Sequence, residues 1–302
     1  MLKFLAALGL VLALAGPAYA QAADPNRIFA DSQLVVRDRF SDEIVGQGPD
    51  LVFIPGLASS RLIWKATAER LRGKYRLHLI QIAGFSGEPA RANAQGDVLL
   101  PTAEAIDAYL VEQKLTPAIL IGHSLGGTAT LYLAQKHPEH LKTAMLVDAL
   151  PFLGSMQGPT ATVDAIRPMA AATRDNMVKG GPAYTAGSTA AIKGMITGEA
   201  DQKMGIAWGA ASDPSVVGRA YYDDLTLDLR PGLPALRTPM LLLYPDNVPN
   251  GAPPGAMAKI YPTLYAAAPT VKLRQIDDTK HFIMLDQPKA FADALDAFLA
   301  QK

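Results

Sequence analysis

Short apolar runs bounded by glycine, proline or charged residues alternate with stretches of helical periodicity from about residue 50 onward. This alternation predicts an α/β fold, in which a mostly parallel sheet carries helices on both faces. The runs that fit buried strands are Leu51–Ile54, His78–Ile82, Ala118–Ile121, Thr143–Val147, Met240–Tyr244 and Val271–Ile276. Two weaker strand candidates lie between Ser32 and Glu43. The expected helices lie near Leu62–Leu71, Thr102–Gln113, Gly126–His137 and Pro288–Gln301.

The alternation stops between Pro151 and Pro239, where glycine, alanine, methionine and proline dominate and no clean strand pattern occurs. We interpret residues 151–238 as a mostly helical cap inserted after the sixth strand, between core segments 21–150 and 239–302. Five methionines lie in this cap: Met156, Met169, Met177, Met195 and Met204. Methionine is flexible and polarizable, so these side chains can either line an apolar pocket or fill the interior of the cap.

Residues 1–20 have the three-part pattern of a secretory signal peptide. Lys3 supplies the positive charge, an apolar run extends from Phe4 to Ala15, and Ala18 and Ala20 form an A-x-A cleavage site. The apolar run is shorter than the roughly 20 residues that a membrane-spanning helix needs. The sequence therefore predicts cleavage after Ala20 and export to the periplasm or the extracellular medium, with no stable membrane anchor afterwards.

Composition excludes several classes of function. The apolar residues make up 49% of the chain and the charged residues 19%, a composition typical of a globular protein with a substantial core. The 28 basic residues balance the 28 acidic ones, which disfavours nucleic-acid binding driven by phosphate neutralisation. The chain contains no cysteine, so a thiol nucleophile, a thiolate zinc site and a disulfide framework are all excluded.

The most informative motif is Gly122-His123-Ser124-Leu125-Gly126, a G-x-S-x-G pattern. It follows the apolar run 118–121 and precedes a helical stretch, which is the context of a nucleophile elbow. The turn is so tight that the positions two before and two after the serine must be nearly free of side chain. Ser124 is therefore the candidate nucleophile, and the amide of Leu125 at the start of the helix points to where an oxyanion would form.

With this motif the chain resembles the α/β-hydrolase family, across nearly all of residues 21–302. The segment Leu51–Leu57 is similar to the third strand of that family and the oxyanion loop that follows it. In this loop Pro55 replaces the histidine that the family usually has, whereas the glycine is kept as Gly56. The resemblance implies the α/β-hydrolase fold with a helical cap, and the amide of Leu57 as the second oxyanion donor beside that of Leu125.

A serine nucleophile needs a general base, and histidine is the usual one. The chain has five histidines, at His78, His123, His137, His140 and His281. His137 and His140 flank Pro138, which breaks the helix between them. We therefore expect them to contact helix-end carbonyls and solvent, and not to bind a metal. His281 follows the last predicted strand and precedes the C-terminal helix, where the base of this family lies, so it is the predicted base.

The acid that orients the base has two candidates. The family's commonest acid follows the seventh strand, but alignment on that pattern places Val248 there, and Asp246 lies two residues earlier. Asp148 directly follows the sixth predicted strand, and some α/β-hydrolases take their acid from this point. We favour Asp148, while Asp246 stays open because either aspartate could instead cap its own loop. Asp277 and Asp278 are too close in sequence to His281 to be preferred.

Together these residues predict a carboxylesterase that works through an acyl-enzyme, with a Ser124, His281 and Asp148 triad and no cofactor or metal. A small apolar ester is the expected substrate. Within the same scaffold a lactonase, an aminopeptidase or a hydrolase of carbon–carbon bonds stays open. A protein that binds an apolar ligand without turnover is a further alternative, because the usual acid and the oxyanion histidine are both replaced.

Overall fold

The computed structural model describes residues 24–158, 160–246 and 255–300. The predicted signal peptide, residues 1–20, lies outside the described residues. Within the described ranges, no helix is both long enough and apolar enough to cross a lipid bilayer.

The described strands form one sheet. Their bounds are Gln33–Val36 (β1), Phe40–Gly46 (β2), Asp50–Ile54 (β3), Arg76–Ile82 (β4), Ala118–His123 (β5), Leu141–Val147 (β6), Met240–Pro245 (β7) and Val271–Ile276 (β8). The order across the sheet is β1-β2-β4-β3-β5-β6-β7-β8. The pairs β1/β2 and β2/β4 are antiparallel, and all pairs from β4 to β8 are parallel. The predicted mostly parallel sheet is therefore confirmed.

The α-helices of the described residues are Lys65–Leu71 (α1), Leu99–Glu112 (α2), Leu125–Lys136 (α3), Val163–Val178 (α4), Gly181–Met195 (α5), Glu199–Ala211 (α6), Pro214–Thr226 (α7), Met257–Leu264 (α8), Ile283–Asp286 (α9) and Pro288–Leu299 (α10). Helices α1, α2, α3 and α10 lie where periodicity predicts helices. The sequence analysis did not predict α8 and α9. Both are short, and α8 contains Pro262, a residue that disfavours a helix interior.

Neighbouring residues of a strand point to opposite faces of the sheet. In β3, Val52 and Ile54 belong to the hydrophobic cluster that also contains residues of α2 and α3. Leu51 and Phe53 belong to the cluster on the other face, with residues of α1 and α10. Burial on both faces explains why these strands appear in the sequence as continuous apolar runs and not as alternating ones.

Helices α4 to α7 lie between β6 and β7, where the sequence predicts the cap. Helix α7 begins at Asp213, whose side chain accepts hydrogen bonds from the amides of Ser215 and Val216. Val217 and Ala220 on this helix are buried in the core cluster shared with α2 and α3. The packing of α7 therefore attaches the inserted helices to the face of the sheet that carries α2 and α3. Whether residues 151–238 form a separate domain stays a prediction.

The methionines of the cap do not share one environment. Met156 and Met169 are 46% and 40% exposed, so they lie on the surface. Met195 and Met204 are half-buried and pack against the cluster that contains Trp208. Two of the five side chains that could line a pocket are thus on the outside of the molecule.

The register of the parallel strands brings the predicted site residues to one edge. Strands β5, β6, β7 and β8 are adjacent and parallel, so their carboxyl ends meet at the same edge of the sheet. Ser124 directly follows β5, Asp148 directly follows β6 and Asp246 directly follows β7. His281 lies between β8 and α9. This is the edge at which ligands bind in open parallel sheets.

Candidate active site

Ser124 occupies the tight turn between β5 and α3, with φ of 52° and ψ of −123°. A residue with a Cβ atom rarely adopts this backbone conformation, and persistence of such strain is typical of functional sites. The Ser124 amide donates to the carbonyl of Val147 at 2.9 Å, and the Ser124 carbonyl accepts from the amide of Thr128 at 2.9 Å. Hydrogen bonds to β6 and within α3 thus hold the turn on both sides of the serine.

Two glycines leave the space that the turn needs. A Cβ atom at Gly122 would lie 2.3 Å from the carbonyl oxygen of Gly126, and one at Gly126 would lie 2.4 Å from the carbonyl oxygen of Ile54. Both distances are far below van der Waals contact, and both involve backbone atoms that cannot rotate away. The geometry therefore requires glycine at the two positions where the sequence motif has it.

The loop after β3 passes beside the serine. A Cβ atom at Gly56 would lie 3.0 Å from the Cβ atom of Ser124, so the backbone of this loop is in direct contact with the nucleophile turn. Leu125 is the first residue of α3, and the first-turn amides of a helix have no acceptor within the helix. Leu57 and Leu125, the predicted oxyanion donors, thus belong to the two backbone segments that flank Ser124.

Asp148 and His281 form a close pair at the same edge. The Nδ1 atom of His281 lies 2.6 Å from Oδ2 of Asp148, and the two side chains are 18% and 9% exposed. Asp148 has a φ of 49°, a left-handed conformation that aspartate tolerates better than most residues. Its amide donates to the carbonyl of Leu243 in β7 at 2.8 Å. The candidate nucleophile, acid and base follow one another along the chain in the order typical of this fold.

Tyr261 of α8 holds the other oxygen of the Asp148 carboxyl group, since its hydroxyl donates a hydrogen bond to Oδ1. Burial, together with the charge of Asp148, raises the pKa of Tyr261 well above its usual value, so this hydroxyl stays a donor. Tyr265, one turn later, donates to the carbonyl of Ala149 at 2.9 Å. The sequence analysis missed Tyr261 because it did not predict α8. The spacing of two tyrosines by four residues is the signal that could have indicated it.

Asp246, the alternative acid, contacts the segment that precedes His281 and not the imidazole. Its Oδ1 accepts a hydrogen bond from the amide of Thr279 at 3.1 Å. On the other side of this segment, Oδ2 of Asp286 accepts from the amide of Lys280 at 2.9 Å. Two carboxylates thus anchor the segment that carries the imidazole, and Asp246 is one of these anchors.

His123, the variable residue of the elbow motif, is a third anchor. It is fully buried, and its Nε2 lies 3.1 Å from the carbonyl oxygen of His281. Burial, together with the charge of His281, lowers the pKa of His123 well below its usual value. The ring is therefore neutral at pH 7, and the nitrogen that faces the carbonyl carries the hydrogen. The sequence analysis assigned His123 no role, although its position at the end of a buried strand was a usable signal.

Asp224 of α7 is a second buried acid close to the site. It is 6% exposed, accepts a hydrogen bond from Thr128 and interacts electrostatically with His281. Burial raises the pKa of Asp224 to about 6. Its Oδ1 has no hydrogen-bond partner among the described residues. The sequence analysis did not single out Asp224. The signal that could have indicated a buried carboxylate is an acid in the same helical stretch as the apolar pair Val216 and Val217.

The prediction that His137 and His140 contact helix-end carbonyls is wrong, whereas their predicted contact with solvent agrees with side-chain exposures of 23% and 26%. The Nε2 atom of His137 lies 3.0 Å from Oε2 of Glu104, and Nδ1 of His140 lies 2.9 Å from Oδ1 of Asp107. The sequence did not indicate these partners because they come from α2, which lies beside the junction between α3 and β6 only in the folded chain. Glu104 and Asp107, three residues apart, lie on the face of α2 that meets these histidines.

A family model described as the alpha/beta hydrolase family matches residues 51–294, most of the chain. The chain belongs to the alpha/beta hydrolase family. The matched residues extend from β3, which precedes the oxyanion loop, through the Ser124 turn and Asp148 to the segment that carries His281. The family assignment made from the sequence motif is therefore confirmed.

Curated relatives of this alpha/beta hydrolase are named esterases, and solved structures of similar fold include an esterase and a lactonase. The pimeloyl-[acyl-carrier protein] methyl ester esterase of Aeromonas hydrophila is 28% identical over 266 residues, which cover 86% of this chain and 98% of the relative. A thermophilic esterase from Thermogutta terrifontis superposes with a TM-score of 0.73 at 19% identity, covering 89% of this chain and 98% of that one. The enol-lactonase of Burkholderia xenovorans superposes with a TM-score of 0.70 at 16% identity, covering 87% and 96%. The two solved structures confirm the predicted fold.

Proposed function

We propose that this alpha/beta hydrolase is a serine carboxylesterase that cleaves small apolar esters through an acyl-enzyme on Ser124. The observation that carries the proposal is the 2.6 Å contact between His281 Nδ1 and Asp148 Oδ2, at the sheet edge where Ser124 occupies a strained turn. A hydrolase that acts on ester bonds agrees with the family and with the named esterases similar to this chain.

In the proposed reaction, Nε2 of His281 accepts the hydroxyl proton of Ser124 while Oγ attacks the acyl carbon of the ester. The resulting oxyanion accepts hydrogen bonds from the amides of Leu57 and Leu125. The imidazolium then protonates the leaving alcohol as the carbon–oxygen bond breaks. Water, deprotonated by the same imidazole, hydrolyses the acyl-enzyme. Asp148 orients the imidazole and stabilises its protonated form, and no cofactor takes part.

The environment of Asp148 supports its role as the acid. Tyr261 and His281 donate to different oxygens of its carboxyl group, so the group is fixed in one orientation. Asp246 instead accepts from the backbone amide of Thr279. A carboxylate that is held rigidly against the imidazole keeps the ring in the tautomer that leaves Nε2 free to accept a proton.

The substrate proposal rests on the relatives and on the apolar cap. The Aeromonas hydrophila relative is named for a methyl ester, and the Burkholderia xenovorans enzyme for an enol lactone, which is a cyclic ester. The first name describes a methyl ester of an acyl group on a carrier protein and the second a cyclic ester, so both name a carboxylic acid ester. We therefore expect this chain to accept esters with short alcohol groups and acyl chains of small to medium length.

Turnover of p-nitrophenyl esters from acetate to decanoate by residues 21–302 tests the proposal, with methyl esters assayed beside them. Ser124→Ala and a fluorophosphonate label serve as the controls. We expect turnover and labelling in the wild type, the loss of both in Ser124→Ala, and a chain-length optimum that reports the size of the pocket. Labelling without turnover would contradict the substrate class. Absence of both would favour the non-catalytic ligand-binding protein.

We also propose that the protein is exported after cleavage between Ala20 and Gln21. The support is the signal-peptide pattern of residues 1–20 and the A-x-A site that ends it. Intact-mass measurement of the protein recovered from a periplasmic extract tests this directly. The expected mass is that of residues 21–302, and Ala20→Leu should retain the full-length mass. Recovery of the uncleaved wild-type chain from the cytoplasm alone would contradict export.

A further inference from the structure

Four side chains of types that commonly bind metals lie together beside α2, away from the Ser124 turn. Glu104 and Asp107 come from α2, His137 ends α3, and His140 immediately precedes β6. One donor atom from each of Asp107, His137 and His140 lies within 4.8 Å of the others. We propose that these residues, with Glu104, form a zinc-binding site that joins α2 to the junction between α3 and β6.

The separations of the donor atoms fit a small tetrahedral ion. In such a site, bonds of 2.0–2.1 Å place the donor atoms about 3.3 Å from one another. His140 Nδ1 lies 2.9 Å from Oδ1 and 3.1 Å from Oδ2 of Asp107. His137 Nε2 lies 3.0 Å from Oε2 of Glu104 and 3.9 Å from Oδ2 of Asp107. Asp107, His137 and His140 thus each place one donor atom within reach of a common ion, whereas Glu104 lies close to His137 and has to move to complete the set.

The chemistry of the donors selects the kind of ion. Two imidazoles and two carboxylates suit zinc and other late first-row metals, whereas magnesium and calcium prefer oxygen ligands alone. The histidine side chains are 23% and 26% exposed, so an ion can reach them from solvent, while the Asp107 side chain is 7% exposed and held in place. Solvent thus reaches the two imidazoles, whereas the Asp107 carboxylate is fixed by its surroundings.

Contacts around the donors support this arrangement. The hydroxyl of Tyr132 in α3 donates to Oε1 of Glu104 at 2.5 Å, which leaves Oε2 facing His137. Groups such as Tyr132 that orient ligands tune metal sites in general. The rings of His137 and His140 are stacked, with centroids 5.4 Å apart and planes at 12°, so one ring has to turn before both nitrogens point to the same ion.

The sequence analysis argued against metal binding because it considered only His137 and His140. Pro138 breaks the helix between His137 and His140, so one helix face cannot present both imidazoles as it does in a regular H-x-x-H site. The structure supplies the other donors from α2 instead. Because α3 starts at the Ser124 turn, an ion at its carboxyl end would fix the helix whose amino end carries the candidate nucleophile.

The alternative is that the four groups form only histidine–carboxylate ion pairs. Calorimetric titration of ZnCl2 into EDTA-treated residues 21–302 separates the two, and the Ser124→Ala variant can be used because binding does not depend on turnover. We expect one saturable site in the wild type, with MgCl2 giving no binding. His137→Asn and Asp107→Asn should each weaken zinc binding by about tenfold or more.

Two variants serve as matched controls. Glu199→Gln removes an exposed charge in α6, and His281→Asn removes the imidazole that pairs with Asp148. Both should bind zinc as the wild type does. Zinc should also raise the melting temperature of the wild type but not that of His137→Asn. No saturable binding in the wild type, or equal losses in Glu199→Gln and Asp107→Asn, would overturn the proposal. Loss of binding in His281→Asn alone would place the ion at the catalytic pair and overturn it too.

Discussion

Asp148 combines two properties that decide how it can be replaced. Its φ of 49° lies in the left-handed region, which aspartate and asparagine occupy at lower cost than other residues with a Cβ atom. Its carboxyl group contacts both His281 and Tyr261. Asparagine keeps the backbone preference and the shape, but it has no charge and presents an amide nitrogen on one side. Asp148→Asn therefore tests the carboxylate while leaving the backbone undisturbed.

We expect Asp148→Asn to lower kcat for a p-nitrophenyl ester by about 10³- to 10⁴-fold, because the imidazole loses its orienting charge and the correct tautomer. Asp246→Asn is the matched control. Its amide oxygen can still accept from the amide of Thr279, so kcat should fall less than about tenfold. Melting temperatures of both variants check the fold. A larger loss in Asp246→Asn than in Asp148→Asn would contradict the assignment of the acid.

Asp224 gives a stability prediction whose sign follows from its raised pKa. Burial raises this pKa to about 6, above the ordinary value of 3.8, so the folded protein binds this proton more tightly than the unfolded chain does. As the pH rises from 3.8 to about 6, the unfolded chain ionises first and the folded state loses relative stability. The loss is complete above pH 6 and amounts to about 3 kcal/mol at most.

Asp224→Asn removes the ionising group and with it this pH dependence. Between pH 4 and pH 7, the free energy of unfolding of Asp224→Asn should therefore increase relative to the wild type by up to about 3 kcal/mol. Urea unfolding of both proteins at the two pH values measures this change. A difference between variant and wild type that is the same at both pH values would show that Asp224 does not titrate as described.

At the scale of secondary-structure elements, the junction of β5 and α3 depends on close backbone contact. The Cβ atom that alanine would add at Gly122 lies 2.3 Å from a backbone carbonyl oxygen, which cannot move without displacing α3. Gly187 in the middle of α5 offers the matched comparison, since no atom lies within 4 Å of its added Cβ atom. The same substitution thus has opposite consequences at the end of β5 and in the middle of α5.

Gly122→Ala should lower the free energy of unfolding by about 3 kcal/mol or more, because the added methyl group overlaps backbone atoms. Gly187→Ala should raise it by about 0.5–1 kcal/mol, because alanine loses less conformational entropy in a helix. Urea unfolding of both variants at pH 7 measures the difference. Similar stabilities of the two variants would mean that the elbow can relax around a side chain.

The physical origin of each element decides whether the sequence reveals it. The parallel strands were predictable because burial on both faces requires continuous apolar runs, and α10 because one stripe of it is buried. Ser124 and Asp148 were predictable because each directly follows such a strand. The contact from Tyr261 was not predictable from the sequence, because α8 is short and contains Pro262. The carboxylates beside His137 were not predictable either, because they come from another helix.

At the scale of the whole molecule, a buried ion cluster attaches the first described residues to the sheet. Arg61 lies 3.7 Å from Glu43 in β2 and 3.7 Å from Asp24, and the side chains of Arg61 and Glu43 are fully buried. Glu43 also accepts hydrogen bonds from the amides of Ile28 and Phe29 at 2.8 Å and 2.7 Å. This cluster lies beside the antiparallel strands, at the edge of the sheet opposite to β8.

Glu43→Gln should therefore lower the free energy of unfolding by about 3 kcal/mol, because the buried guanidinium of Arg61 keeps its charge and loses a compensating one. Asp293→Asn is the matched control. It breaks the exposed pair between Lys289 and Asp293 and should change stability by less than about 0.5 kcal/mol. Urea unfolding at pH 7 compares the two, with esterase activity before denaturation as the check of the native site. If Glu43→Gln is no less stable than Asp293→Asn, the charge of Glu43 does not stabilise the fold through Arg61, and the prediction is contradicted.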